Sequence, residues 1–290
     1  VTGTPTYTFK LEDQSEACFT IADNVKKKQD YGIAYHVGKS DTIPLSVLFK
    51  ADGYTSGKIF VDVYDAAGTD KLKDTQEFTA ISGGLNLSGI TAGQTVKVKI
   101  GVGGAQYALD VKVVNGKNVT NASQWASVTG TGDATSAGLV LHADIKNFAD
   151  GTGCITVTNG TVYGNLHTIS WDDGSYLVKK QADNAIITLN NGTVDNLVIN
   201  GPTYTSTSTW GDAASTGVYV FGVYANGTAT INNSYISGFM APVGAKTTGK
   251  TVNLNSTVLK GGAMGNIYVN QSSITLNVTD CTLIRSNEGN

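Results

Sequence analysis

Asp172 and Asp173 form the one adjacent acidic pair in the second half of the chain, with Trp171 directly before them and His167 a few residues upstream. Two carboxylates flanking a glycosidic bond can act as acid and base in its hydrolysis. Acids of this kind can also hold Ca2+ while an Arg or Lys takes a proton beside a uronate carboxylate. Neither set is complete here. Asp195, Asp212 and Asp280 fall on separate segments, and the only arginine is Arg285, next to the C-terminus. Asp172 and Asp173 therefore stand as catalytic candidates without the partners that catalysis needs, calcium is the one metal they would admit, and no cofactor is expected.

Aromatic residues give the stronger signal. Tyr204 and Trp210 lie in a Thr/Ser-rich stretch, and Trp171 adjoins the acidic pair. Flat apolar faces beside hydrogen-bonding groups suit sugar rings. The competing reading folds these rings back over the flank of the protein. His36 and His142 alternate with apolar residues and read as packing or surface positions. No phosphate-binding Gly-rich loop, Cys/His metal spacing or Ser-His-Asp set stands out.

The elements that position these residues are strands. Gly, Thr, Asn, Ser and Val dominate the 290 residues, with only 4 Pro and 2 Met, a composition of short strands and tight turns. The net charge of −3 and the mixing of acids with lysines give no footprint for nucleic acid or an anionic membrane. The run Lys26-Lys27-Lys28, beside Asp23 and Asp30, reads as a solvated loop. No run of about eighteen apolar residues exists to span a membrane. Cys18, Cys154 and Cys281 are odd in number and scattered, so buried free thiols are expected. Residue 1 begins in strand-like sequence, and Asn/Thr/Gly-rich β proteins are commonly exported, so secretion or surface display with the leader removed is the expectation.

Residues 1–116 read as a β-sandwich domain. Lys58 to Val63, Thr95 to Ile100 and Tyr107 to Val113 alternate strictly, with turn clusters between them. From 117 to 290 a short motif returns: Val157-Thr-Asn159, Leu189-Asn-Asn191, Ile231-Asn-Asn233, Leu254-Asn-Ser256 and Val278-Thr-Asp280, each followed three residues on by a second apolar residue. The copies start 32, 42, 23 and 24 residues apart. Such spacing predicts stacked coil turns with loops of unequal length. The third column favours left-handed corners, and the flanking apolar columns should stack inside. The longer gaps put excursions near 170–174 and 201–217. A helix over about 121–129, capped by Asn121 or Ser123, should cover the first turn with Trp125.

Two resemblances bear on this outline. The order Phe60 to Gly68, Thr91 to Val98 and Gly104 to Val111 loosely resembles the bacterial pre-peptidase C-terminal type of jelly-roll domain. The helix with Trp125, the strand Leu139-Val-Leu-His-Ala-Asp144-Ile145, and Gly160-Thr-Val-Tyr-Gly164-Asn165-Leu-His167-Thr-Ile169 follow in the order found in right-handed parallel β-helix domains of bacterial surface proteins, within the pectate-lyase-like superfamily. Leu166 stands where that family usually has glycine. The likeness implies an internal asparagine ladder. The reading is all-β: an N-terminal jelly-roll or Ig-like sandwich, then a right-handed parallel β-helix with a cap helix, C-terminally incomplete in that no terminal cap is evident. A non-enzymatic adhesin binding a polysaccharide or host glycan through Trp171, Tyr204 and Trp210 is favoured. A polysaccharide lyase or glycoside hydrolase, and a plain structural spacer, are the alternatives.

Overall fold

A computed structural model of the chain describes residues 8–11, 18–21, 24–27, 35–52, 57–102, 105–131, 138–146, 154–170, 184–201, 220–262 and 264–284. Apart from α1 (Leu45–Leu48) and α2 (Ala122–Thr131), the regular elements among them are strands, so the fold is all-β. The chain divides into two compact units, Val1–Ala17 with Lys27–Asn118, and Cys18–Lys26 with Val119–Asn290.

The first strands are β1 (Thr8–Leu11), β2 (Cys18–Ile21), β3 (Asn24–Lys27), β4 (His36–Gly38), β5 (Ile43–Pro44) and β6 (Phe49–Asp52). They are followed by β7 (Ile59–Asp65), β8 (Lys71–Phe78), β9 (Gly84–Leu85), β10 (Thr95–Val102), β11 (Ala105–Val114) and β12 (Lys117–Val119). Strand β3 covers Lys26 and Lys27 and pairs with β2, so these two lysines are in a strand and not in a loop, while Lys28 lies outside the described residues.

The main sheet of the first unit runs β4-β11-β10-β7-β8, antiparallel except where β4 joins β11. Alternation decides its faces: Ile59, Val61 and Val63 point into the core, while Phe60, Asp62 and Tyr64 face outward. The free edge β8 is guarded by a register irregularity against β7 and by lysines, Lys71 pairing with Asp62 at 2.7 Å. Asn118 acts as a substitute peptide within this unit. Its Oδ1 accepts from the Gly38 N–H and its Nδ2 donates to the Gly38 carbonyl, both at 2.8 Å and both buried.

In the second unit each turn of chain supplies three short strands. The first turn is β13 (Leu139–Leu141), β14 (Ile145–Lys146) and β15 (Ile155–Thr158). The second is β16 (Thr161–Tyr163), β17 (Thr168–Ser170) and β18 (Asn184–Asn190). The third is β19 (Gly192–Asp195), β20 (Val198–Asn200) and β21 (Val220–Ala225). The fourth is β22 (Ala229–Asn232), β23 (Tyr235–Ser237) and β24 (Ala241–Ala245). The fifth is β25 (Thr251–Asn255), β26 (Val258–Lys260) and β27 (Ile267–Val269), and β28 (Thr275–Thr279) with β29 (Thr282–Ile284) begins a sixth.

Every strand pairs in parallel with its equivalents one turn away, building three parallel sheets visited in order. In the first sheet Leu139, Val162, Val194, Ile231, Leu254 and Val278 lie in one register column. In the second, Ile145, Ile169, Ile199, Ile236, Leu259 and Leu283 do the same. In the third, Val157 pairs with Leu189, Leu189 with Ala225, and Ala225 with Ala245. The interior members are buried almost completely until the last turn. Helix α2 begins at Asn121, whose Oδ1 accepts from the Gln124 N–H at 2.9 Å, and it buries Trp125 fully in the same core.

The five-copy alignment is corrected by this register. Val157 and Leu189 belong to the third sheet, whereas Ile231, Leu254 and Val278 belong to the first. The first two copies span the corner from the third sheet to the first, and the last three span the corner from the first to the second. Both corners use the same device, a residue with left-handed backbone: Asn159 and Asn191 at one, Asn196, Asn233, Ser256 and Asp280 at the other, all with φ between 48° and 56°. Along the first sheet the true spacings are 23, 32, 37, 23 and 24 residues.

The expected asparagine ladder is also displaced. The third-column residues do not bond to one another through their side chains in one continuous file. Asn255 Nδ2 donates to Asn232 Oδ1, and Asn277 Nδ2 to Asn253 Oδ1, each at 2.8 Å, on strand positions beside the corner. Inside the corner the file is Ser234 and Thr257, fully buried and bonded to backbone carbonyls, followed by Cys281. Cys154 and Cys281 are half-buried thiols outside any disulfide, so they are less enclosed than expected, and the Cys18 side chain lies outside the described residues.

Two substitutions separate column from corner. Leu254→Ala is expected to cost about 2–5 kcal/mol in a urea melt, as a large-to-small change in a closed column. At the left-handed Ser256, Ser256→Val should cost about 1–2 kcal/mol while Ser256→Gly is neutral or stabilising. Equal effects of valine and glycine there would contradict the corner geometry.

Candidate functional site

Trp171, Asp172, Asp173, Tyr204 and Trp210 lie outside the described residues, as do Asp212 and Arg285. The strands that bracket them are described. Residues 171–183 connect β17 to β18, and 201–219 connect β20 to β21. Strand β17 pairs with β20, and β18 with β21. Both connections therefore leave the second sheet and enter the third on consecutive turns, at one and the same corner. The other two corners never use more than five residues, in agreement with their left-handed turns. The second excursion adds 14 residues to a turn of 23, fewer than the nineteen read from the motif spacing.

The base of this corner is polar. Lys146, Ser170, Asn200, Ser237 and Lys260 occupy one register column at the end of the second sheet, where the connections depart. Ser237 Oγ donates to Asn200 Oδ1 at 3.0 Å, and the Gly201 N–H bonds to the Ser237 carbonyl at 2.7 Å. Turns stacked about 4.8 Å apart set these groups in a regular file. No sequence motif marks them, because they are 23 to 37 residues apart; the register alone brings them together.

Across the third sheet, Tyr224, Gly244 and Tyr268 share an outward column. Phe221 fills the space over Gly244, its ring 5.8 Å from that of Tyr224 and 6.1 Å from that of Tyr268, in stacked orientation. A Cβ on Gly244 would meet the Phe221 ring at 2.6 Å, so glycine is required there. Phe221 is fully buried, and this stack spends its ring faces on itself. It is a brace on the outer face of the third sheet.

A second titratable cluster was missed by the sequence reading, which set His167 beside Asp172. His167 Nδ1 instead faces Asp144 Oδ1 at 3.3 Å across two turns, on the corner between the first and second sheets. Asp144 Oδ1 also accepts from the Thr168 N–H at 2.9 Å. The His167 contact, helped by that amide and by Lys146 and opposed by partial burial, holds the Asp144 carboxyl below the usual carboxylate range. His167 Nε2 is buried and has no partner among the described residues. The imidazole thus links two consecutive turns at this corner. Nearby, burial and the neighbouring Asp195 push the Tyr163 hydroxyl up, against an opposing bond with Thr161. His142 is buried, as the packing reading expects. Among the described residues no group of three or more His, Cys, Asp or Glu could hold a metal ion, and no helix is long and apolar enough to cross a membrane.

Because the folded Asp144 pKa is depressed, its stabilisation is complete above the unfolded value of about 3.9 and is lost as the pH falls through the folded value. Asp144→Asn should therefore flatten the acid limb of thermal stability below about pH 4, read by melting curves across pH. An unchanged acid limb would show that the His167 contact contributes nothing. Compared with known proteins, the chain matches no family model, no curated protein and no solved structure.

Proposed function

We propose that the chain is a secreted or surface-displayed bacterial protein in which a β-sandwich precedes a right-handed parallel β-helix of the pectate-lyase-like kind, and that the helix binds glycans without transforming them. The observation that carries this reading is the placing of both long connections at one corner on consecutive turns. In this reading Trp171 on one connection and Tyr204 and Trp210 on the other supply the aromatic faces for an extended ligand. At the strand ends from which the connections depart, Ser170, Asn200 and Ser237 supply hydroxyl and amide groups of the kind that sugar hydroxyls pair with. Rigid stacked turns beneath variable loops are a common way to hold a binding surface.

The catalytic alternative draws on Asp172 and Asp173 at the same corner. The one acid–imidazole contact among the described residues, Asp144 with His167, stands on a different corner and adds nothing to it.

Binding to a glycan array should weaken by at least about tenfold in Trp210→Ala, a loss of about 1.4 kcal/mol, with the melting temperature unchanged. An array on which the unaltered protein binds no glycan would refute the reading. Cleavage of a uronate polymer that disappears in Asp172→Asn would replace it with the enzymatic one.

A further inference from the structure

Five Asn-Gly pairs lie among the described residues: Asn115-Gly116, Asn159-Gly160, Asn191-Gly192, Asn200-Gly201 and Asn226-Gly227. Glycine has no Cβ to crowd its backbone nitrogen, so that nitrogen can close on the Cγ of the asparagine before it. The dipeptide makes the five alike. Hydrogen bonding sets them apart.

Three pairs are held. Asn191 Oδ1 accepts from the Thr228 N–H at 3.1 Å. Asn200 Oδ1 accepts from Ser237 Oγ at 3.0 Å, and the Gly201 N–H bonds to the Ser237 carbonyl at 2.7 Å. Asn226 Nδ2 donates to Asn190 Oδ1 at 3.0 Å, its Oδ1 accepts from Thr247 Oγ1 at 2.9 Å, and the Gly227 N–H bonds to the Leu189 carbonyl at 3.0 Å. Ring closure at any of the three must first break these bonds. Asn115 and Asn159 differ. Both are exposed, and neither their side chains nor the N–H groups of Gly116 and Gly160 have a hydrogen-bond partner among the described residues.

We propose that Asn115 and Asn159 are sites of spontaneous deamidation by water, and that the fold protects the other three. The glycine nitrogen loses its proton and bonds to the asparagine Cγ, and the side-chain nitrogen takes up a proton and leaves as ammonia. Water then opens the five-membered imide. Opening at the side-chain carbonyl gives aspartate, and opening at the main-chain carbonyl gives isoaspartate, with no oxidant or reductant involved. The two products differ in effect at residue 159. Aspartate suits a left-handed corner, as Asp280 shows with φ 51° against 56° at Asn159. Isoaspartate puts an extra methylene into the main chain, between the Asn159 N–H, bonded to the Asn190 carbonyl at 3.0 Å, and the Gly160 carbonyl, which accepts from the Thr193 N–H at 2.9 Å. Those two bonds cannot both keep their register, so the corner loosens. Glycan binding plays no part in this.

Peptide mass mapping of the full chain, aged in heavy-oxygen water at mildly alkaline pH, tests the proposal, because hydrolysis leaves a heavy oxygen at each reacted site. Label should enter at Asn115 and Asn159 at least about tenfold faster than at Asn191, Asn200 and Asn226, whose bonds must open first. In concentrated urea, with the fold lost, all five should react at similar rates. Absence of label at Asn115 and Asn159, equal labelling of all five in the folded chain, or a preference that persists in urea would each overturn the proposal.

Discussion

Parallel register between equivalent strands one turn apart is the constraint on which the second unit depends. Once Ile231 is set beside Leu254 and Leu254 beside Val278, every residue of a turn inherits a neighbour of the same position in the next. Apolar columns then stack in the interior, and strand asparagines pair from turn to turn. A one-residue slip would turn a whole column outward, so the register is held strongly wherever the interior is closed.

Corners make that register affordable in length. A left-handed Asn, Ser or Asp turns the chain from one sheet into the next within one or two residues and leaves its N–H to bond to the neighbouring turn, as Asn233 does to the Asn255 carbonyl at 2.9 Å. Ser234 and Thr257 then satisfy backbone carbonyls in the dry interior, where an unpaired group would cost about 1–3 kcal/mol. Two corners are kept tight in this way. The third is free to lengthen, and it is there that the aromatic and acidic residues are carried.

Function in such an arrangement is a matter of address. A segment that departs from a fixed corner can vary in length and composition without disturbing the columns, which is why Tyr204 and Trp210 can sit in a stretch with no apolar periodicity. The polar file from Lys146 to Lys260 is equally independent of the core, since its side chains end strands and do not fill them. The Asp144–His167 pair serves another purpose, tying two early turns together at the corner opposite in sequence order to the long connections.

Much of this was legible in the residues themselves. Alternation marked the inward faces of β7 and β10, Asn121 and Trp125 marked the helix and its burial, and Asn, Ser and Asp in the third column marked left-handed corners, because these depend on local backbone preference and on periodicity. The sheet to which each repeat belongs was not legible: both kinds of corner obey the same local chemistry, so Val157 and Ile231 look alike in sequence and part company in space. The meeting of His167 with Asp144 and the polar file at the loop corner were likewise decided by the tertiary structure alone. Each is a relation between residues 23 or more apart, and only hydrogen bonding from turn to turn fixes which of them become neighbours.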